Sequence, residues 1–216
     1  MNCIVTAGPT FEPLDDVRRL TNFSTGRLGT ELANFLAARG HRVTLLIGEA
    51  ATWQGERRSL SVKTYSTTAD LRARLKSFSG KKVDAIFHAA AVSDFTFGKM
   101  FIRDAAGKLK PFTPSRKIST RGGSLFVELV PTSKIIAELR GWFPRTKIVG
   151  WKFEADGRRA DALRAAKRQI ADCATDFCVA NGPAYGKGFG LVSMDGKKHF
   201  ANAKNLFTAL EKIQRA

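Results

Sequence analysis

The segments CIVTAGPT (residues 3–10) and NFSTGRLGTELANFL (residues 22–36) decide the fold class of this chain. The first begins with a short apolar run, Cys3 to Ala7, which predicts a buried strand. The second carries apolar residues at the spacing i, i+4, i+7 and i+8, namely Leu28, Leu32, Phe35 and Leu36. This spacing is typical of one face of a helix, and Gly40 then supplies the glycine that commonly ends a helix. A strand, a polar loop and an amphipathic helix in this order indicate an α/β fold.

The alternation of strands and helices continues along the chain. Further strands are predicted at residues 43–47, at the alternating Leu60, Val62 and Thr64, and at residues 83–91, 148–153 and 177–180. Further helices are predicted from a cap at Thr68 through Leu71, Leu75 and Phe78, over residues 157–171, and around Leu206, Leu210 and Ile213. Residues 191–194 and 198–201 predict a C-terminal hairpin. Together they predict one Rossmann-like domain over residues 1–216, with a doubly wound, mostly parallel sheet in three layers.

Residues 95–130 interrupt this alternation. Four of the seven residues from Phe95 to Phe101 are Phe or Met, and a stretch rich in Lys, Gly, Pro and Ser follows from Lys108 to Gly123. The composition predicts a partly extended crossover insertion. Its apolar content exceeds what a solvent-facing crossover should carry, so we expect it to contact a second copy of the chain.

The chain is strongly basic, because its 216 residues include 36 Lys and Arg against 19 Asp and Glu, a formal net charge of +17. A positive field attracts nucleic acid, acidic lipid and small polyanions such as nucleoside triphosphates, so the charge alone leaves all three open. The basic residues occur as scattered pairs, which indicates a basic surface and no basic tail.

The cysteines and the N-terminus limit the cellular setting. Cys3, Cys173 and Cys178 form no even disulfide framework and no zinc-binding pattern, and the three histidines lack metal-binding spacing. The N-terminus has no basic leader, and no apolar run approaches the ~18 residues of a membrane span. We therefore expect a soluble cytoplasmic protein with no structural metal.

Doubly wound sheets bind ligands beyond the carboxyl ends of their strands, so the residues after each predicted strand are candidates for a site. Residues 24–29 (STGRLG) open a helix in a way that suits a phosphate or an ordinary helix cap, and they match neither GxGxxG nor a Walker A loop. Asn22 could contact a ligand or its own backbone. Asp94 could hold Mg²⁺ or cap a turn, and Lys117 could be a mobile cation or a solvated loop lysine.

Taken together, these stretches resemble the phosphopantothenoylcysteine synthetase family, the ligases of coenzyme A synthesis. The motifs occur in the family's order from about residue 3 to about residue 200: VTAGPT (5–10), EPLD (12–15), VR (17–18), NFSTGRLG (22–29), AAVSDF (90–95), KI (117–118), Gly150 and VAN (179–181). The resemblance implies a Rossmann-like homodimer that activates 4′-phosphopantothenate with CTP or ATP and Mg²⁺, releases pyrophosphate, and passes the acyl-nucleotidylate to L-cysteine. We expect a monofunctional enzyme, with a separate decarboxylase acting next.

The same resemblance implies roles for individual residues. Asn22 would bind the acyl intermediate with support from Arg18, and Lys117 would act on the triphosphate during activation. The nucleotide would contact Gly8, Ser24, Thr25, Gly26, Arg27, Ala90, Asp94, Trp151 and Lys167, with Asp94 also near the metal. Lys152 is a second candidate for the lysine that Lys167 would supply. Residues 117–120 read KIST in place of the family's Lys-x-Lys-Lys, which is nearer the eukaryotic-type branch and leaves both nucleotides open.

Two other functions fit parts of the sequence. Phe87 to Ala91 is similar to the cofactor segment of an NADP-dependent reductase, but neither Tyr65 nor Tyr185 is followed by Lys four residues later. The net charge and the mixture of Phe and Lys in residues 95–112 would suit a nucleic-acid-binding protein. No RNA- or DNA-binding motif accompanies them, so we expect no specific nucleic-acid partner.

Overall fold

A central eight-stranded sheet positions every other part of the computed structural model, which describes residues 1–58, 61–104, 106–113 and 116–213. In chain order the strands are β1 (Asn2–Ala7), β2 (Phe11–Pro13), β3 (Arg19–Thr21), β4 (Arg42–Gly48), β5 (Ser61–Tyr65), β6 (Ala85–His88), β7 (Phe95–Arg103), β8 (Leu109–Phe112), β9 (Ser124–Pro131), β10 (Lys147–Phe153), β11 (Phe177–Asn181), β12 (Phe189–Val192) and β13 (Lys197–Phe200). The helices are α1 (Arg27–Ala38), α2 (Thr68–Lys76), α3 (Ile135–Trp142), α4 (Arg159–Cys173) and α5 (Ala203–Lys212). None of the helices in these ranges has the length and apolar character that crossing a membrane requires.

The strand order of the central sheet is β13-β12-β11-β10-β6-β1-β4-β5. The six strands from β5 to β11 are parallel, and β12 and β13 add an antiparallel edge. The order reverses between β1 and β6, because the chain builds outward through β4 and β5 and then returns to the other side of β1. The predicted Rossmann-like, mostly parallel sheet and the C-terminal hairpin are therefore confirmed.

Helices cover both faces of this sheet, which confirms the predicted three layers. On one face, Val5, Leu45 and Val149 pack with α1 and α5. On the other face, a second core joins alternate strand residues to α2 and α3: Ile4, Leu46, Ile86, Ile148, Leu71, Leu75, Ile135 and Leu139. A third cluster packs α4 on β11 and β12. The three cysteines are buried as free thiols.

Several element boundaries differ from the sequence-based expectation. The N-cap of α2 is Thr67 and not Thr68, because the Thr67 side chain accepts a hydrogen bond from the Asp70 N–H. Phe78 lies beyond the last residue of α2, and β6 is shorter than the predicted strand at 83–91. The short hairpin of β2 and β3 and helix α3 were not predicted, and Leu60 lies outside the described residues.

The insertion is a small antiparallel sheet in the order β8-β7-β9. This confirms that residues 95–130 are partly extended and lie in the crossover between β6 and β10. Several of its large apolar side chains are exposed to solvent: Phe95, Leu109, Phe126 and Leu129. Contact between these side chains and a second copy of the chain stays a prediction.

A substitution at Gly29 tests how closely α1 must pack on β1. A Cβ at Gly29 would lie 2.7 Å from the Ala7 Cβ and 3.1 Å from the Thr6 carbonyl oxygen. Gly29→Ala is therefore expected to lower the free energy of unfolding by about 1–3 kcal/mol in chemical denaturation. Gly141→Ala is the matched control, since a Cβ in that part of α3 meets nothing within 4 Å and helix propensity predicts a gain of up to about 1 kcal/mol. Equal losses in both variants would contradict this account.

Candidate functional site

A cavity of about 870 Å³ opens at the carboxyl ends of β6, β10 and β11, beside the point where the strand order reverses. It is lined by residues 22–24, Leu28, residues 88–95, residues 131–136, residues 151–153, Gln169 and Asn181. Both the size and the position are typical of ligand sites in open α/β sheets. We take this cavity as the candidate site.

Buried hydroxyl groups fix the loop that follows β6. The Thr6 hydroxyl accepts a hydrogen bond from the Ala90 N–H at 3.1 Å, and the Thr10 hydroxyl accepts one from the Ser93 N–H at 2.8 Å. The Ala91 N–H donates to the Gly8 carbonyl at 2.9 Å. The loop after β6 is therefore hydrogen-bonded to the end of β1 and to the loop that follows it.

Asn22 joins a third loop to the same rim. Its side-chain amide donates to the Val92 carbonyl at 3.1 Å, and Phe23 beside it is fully exposed at the mouth of the cavity. Ser24 completes this side of the lining. The segment before α1 thus forms part of the cavity rim together with the loop after β6.

Two lysines line the side of the cavity that faces α3 and α4. Lys152 follows Trp151 on β10 and lies 3.3 Å from the Glu154 carboxylate. Lys134 is the N-cap residue of α3 and contacts the Cys173 thiol, whose pKa burial raises and Lys134 partly lowers. Lys134 was missed in the sequence because α3 was missed. The only signal was a lysine directly before the apolar pair Ile135-Ile136.

The predicted site residues divide into two groups. The cavity brings together five of them: Asn22, Ser24, Ala90, Asp94 and Trp151. Seven others do not line it: Gly8, Arg18, Thr25, Gly26, Arg27, Lys117 and Lys167.

The structure gives several of these outer residues other contacts. Gly8 and Gly26 have positive φ angles, and a Cβ on Gly26 would lie 3.3 Å from the Gly8 Cα. Arg27 pairs with Glu31 at 2.7 Å, and the Thr25 hydroxyl accepts a hydrogen bond from the Arg27 N–H. Lys167 is exposed on α4. Their roles toward a nucleotide stay predictions.

Arg18 and Asp15 hold the backbone around Lys117. Asp15 accepts a hydrogen bond from the Ile118 N–H at 3.1 Å, and the Arg18 guanidinium donates to the Ile118 carbonyl at 2.6 Å. Burial raises the pKa of the Asp15 carboxyl, but three backbone N–H donors and the Arg18 charge outweigh it and lower the pKa to about 2. The anionic carboxylate therefore fixes residues 116–118 against the β2–β3 hairpin.

Three residues that line the cavity each carry a buried side-chain atom without a hydrogen-bond partner. These atoms are the Trp151 Nε1, the Gln169 Nε2 and the Asn181 Oδ1. Gln169 lies so close to β10 that a Cβ on Gly150 would be 2.1 Å from its Nε2. Each buried unpaired group costs about 1–3 kcal/mol, so these three atoms lower the stability of the fold around the cavity.

The sheet and the cavity define a class of protein, the Rossmann-type α/β domains that bind a ligand where the strand order reverses. Within it, the chain belongs to the family of the DNA/pantothenate metabolism flavoprotein C-terminal domain, whose model matches residues 1–215. The coenzyme A biosynthesis bifunctional protein CoaBC of Thermococcus kodakarensis is 33% identical over 179 residues, which cover 82% of this chain and 40% of that protein. The chain thus spans less than half the length of the curated relatives it matches. The family resemblance in the sequence is confirmed.

Solved structures confirm the fold. The DNA/pantothenate metabolism flavoprotein from Streptococcus pneumoniae superposes with a TM-score of 0.84 at 24% identity, over 100% of this chain and 99% of that chain. A Cab2 variant in complex with phosphopantothenate-cysteine superposes with a TM-score of 0.76 at 18% identity, over 99% of this chain and 86% of that chain.

His88 should make stability depend on pH. Burial lowers the pKa of His88 from 6.5 to about 4, so between these values the unfolded chain binds a proton that the folded chain does not. The stabilisation is present above pH 6.5 and is lost as the pH falls toward 4, by on the order of 2–3 kcal/mol. Urea unfolding at pH 7 and pH 4 should show a smaller loss for His88→Asn than for wild type. Equal losses would contradict the prediction.

Proposed function

We propose that this chain joins 4′-phosphopantothenate to L-cysteine through an acyl-nucleotidylate, at the expense of CTP or ATP. The observation that carries the proposal is the cavity itself, whose lining includes Asn22, Ser24 and Asp94 together with Lys134 and Lys152. Family membership and the names of the relatives support it, since CoaBC is a coenzyme A biosynthesis protein and a Cab2 variant was solved with phosphopantothenate-cysteine.

The reaction brings two anions together. A carboxylate oxygen of 4′-phosphopantothenate attacks the α-phosphorus of the nucleotide, and pyrophosphate leaves. The cysteine amine then attacks the acyl carbon, loses a proton, and displaces the nucleoside monophosphate. Lys134 and Lys152 would offset the negative charge of the triphosphate, and the N–H groups at the start of α1 would face phosphate beside Ser24.

Mg²⁺ fits the cavity as a shared ion. In the ranges that the structure describes, no group of three or more His, Cys, Asp or Glu could hold a metal by itself. Asp94 is an exposed carboxylate in the lining, and Mg²⁺ is commonly held by one carboxylate together with phosphate oxygens and water. Asp94 would hold the ion, which neutralises triphosphate charge when bound.

Asn22 and Lys117 would act at different stages. The Asn22 amide donates to Val92 in the rim and would donate to the carbonyl oxygen of the acyl intermediate. Lys117 would meet the triphosphate as pyrophosphate leaves, with its backbone positioned by Asp15 and Arg18. Arg18 is thus a positioning residue in this scheme, and the contact of Lys167, which is exposed on α4, with the nucleotide stays a prediction.

The reductase alternative lacks a suitable tyrosine. The Tyr65 hydroxyl is buried and donates to the Ala7 and Gly8 carbonyls, at 2.7 and 2.8 Å. The Tyr185 hydroxyl is hydrogen-bonded to Arg159 and His199. Neither residue lines the cavity, so neither can donate a proton to a ligand there.

Pyrophosphate release tests the proposed function directly. With 4′-phosphopantothenate and Mg²⁺, we expect release with CTP or ATP, a single turnover without cysteine, and continuous turnover with it. Comparison of the two nucleotides in the same assay decides the preference. Absence of release with either nucleotide would refute the function, and tight salt-dependent binding to duplex DNA or RNA would then favour the nucleic-acid alternative.

We also propose that the small sheet of β7, β8 and β9 packs on a second copy through its exposed apolar side chains and brings Lys117 to the partner's cavity. Asn22→Asp and Lys117→Gln should each lower turnover on the order of 100-fold without loss of fold. Mixing the two inactive variants should restore about a quarter of wild-type activity, because half of the dimers then hold one intact site. Sites within one chain would restore none, and a monomer in sedimentation at micromolar concentration would refute the dimer.

A further inference from the structure

Glu12, the first residue of the motif EPLD (12–15), is a buried acidic residue that the proposed function does not use. It lies in β2 with a relative exposure of 7%. Burial of a carboxylate costs free energy unless hydrogen-bond donors replace the lost water. Two donors do so here, because the Thr68 N–H donates to Oε1 at 3.0 Å and the Thr96 hydroxyl donates to Oε2 at 3.1 Å. The carboxylate therefore connects two separate elements of the fold.

The first of these elements is α2, which packs on the central sheet. Thr68 is the first residue of α2, and the free N–H groups at the start of a helix stabilise a carboxylate. Leu71 and Leu75 bury the apolar face of this helix in one of the two sheet cores. The Oε1 contact therefore joins Glu12 to a well-packed part of the central domain.

The second element is β7, the first strand of the insertion. Thr96 is the second residue of β7 and follows Asp94 by two positions. The Asp94 carbonyl accepts a hydrogen bond from the Thr132 N–H at 3.0 Å, so the backbone at Asp94 is also held from the end of β9. The hydrogen bond between Thr96 and Glu12 thus fixes the chain directly after Asp94, whose own carboxylate is exposed at the cavity.

The hairpin of β2 and β3 extends the same connection to Lys117. Glu12 is the middle residue of β2, and the turn that follows β2 carries Asp15 and Arg18. These two residues bind the N–H and the carbonyl of Ile118, directly after Lys117. One carboxylate thus lies where α2, the start of the insertion and the hairpin beside Lys117 meet.

We propose that Glu12 is a positioning residue that holds the insertion against the central domain and thereby places Asp94 and Lys117 for the reaction. Glu12 does not line the cavity, so it acts through the backbone and not on a substrate. The effect on turnover rests on the proposed function, whereas the hydrogen bonds that Glu12 makes do not depend on it. A displacement of reacting groups by about 1 Å can lower a rate on the order of 100-fold.

Glu12→Leu and Glu12→Gln test this role in the pyrophosphate-release assay. Leucine removes both acceptor oxygens, so kcat should fall on the order of 10- to 100-fold. Glutamine should keep kcat within about threefold of wild type, because its carbonyl oxygen can accept from the Thr68 N–H and its amide can donate to the Thr96 hydroxyl. A buried residue that contributed only to stability would show no such rescue in kcat per folded molecule.

Glu211→Leu is the matched control. Glu211 is also a buried carboxylate, at 5% relative exposure, but it lies on α5, where it binds Arg39 and His41 and does not line the cavity. Its loss should lower the midpoint of thermal unfolding and leave kcat per folded molecule unchanged. An equal fall of kcat in Glu12→Leu and Glu211→Leu would contradict a specific role for Glu12.

Hydrogen exchange on the same proteins without ligand locates the effect. In Glu12→Leu, exchange should become about tenfold faster in residues 93–97 and 116–118 and stay unchanged in α5. Thr96→Val removes only the donor to Oε2, so it should raise exchange in residues 93–97, and it replaces Glu12→Leu if that variant does not fold. Wild-type exchange in the insertion of these variants, or wild-type kcat in Glu12→Leu, would overturn the proposal. A wild-type enzyme without turnover would overturn the proposed function alone, because the exchange comparison would still decide whether Glu12 holds the insertion.

Discussion

The close approach of α1 to β1 is the constraint on which the rest of the site depends. Gly29 lets the helix lie directly on Ala7, and Gly8 and Gly26 pack against each other with positive φ angles. Gly48, at the end of β4, leaves room for the Pro9 carbonyl oxygen, which a Cβ would approach to 2.2 Å. No side chain larger than hydrogen fits at these contacts. They fix where α1 begins, and therefore where residues 22–24 meet the cavity.

Hydrogen bonds to buried hydroxyl groups, rather than apolar packing, connect the region of β1 to the loop that lines the cavity. Thr6 and Thr10 are fully buried, and each accepts from a backbone N–H of the loop after β6. The Thr6 hydroxyl also lies 3.0 Å from the His88 Nδ1. These hydrogen bonds hold the backbone of the loop and do not use its side chains. The Asp94 side chain is therefore exposed at the rim of the cavity.

Hydrophobic periodicity was sufficient to predict the central sheet, most of the helices and the C-terminal hairpin. The elements β2, β3 and α3 are too short to show a repeated apolar spacing, so the sequence did not predict them. Lys134 was missed as a site residue because it lies at the start of α3. Five of the site residues predicted from the family motifs line the cavity: Asn22, Ser24, Ala90, Asp94 and Trp151. Asn181 belongs to the motif VAN (179–181) but was given no role, and the position of Gln169 in the lining depends on the rotation of α4, which no local pattern encodes.

The hydrogen bonds from Asp15, Asp16 and Arg18 to residues 116–118 all reach main-chain atoms of that segment. Asp15 and Arg18 bind the Ile118 N–H and carbonyl, and the Asp16 N–H donates to the Arg116 carbonyl at 2.9 Å. Substitution of the exposed Arg116 side chain therefore leaves these hydrogen bonds in place, whereas the Ile118 side chain is buried. The backbone path of the segment is thus set by Asp15, Asp16 and Arg18 and not by the identity of the exposed side chains that it presents.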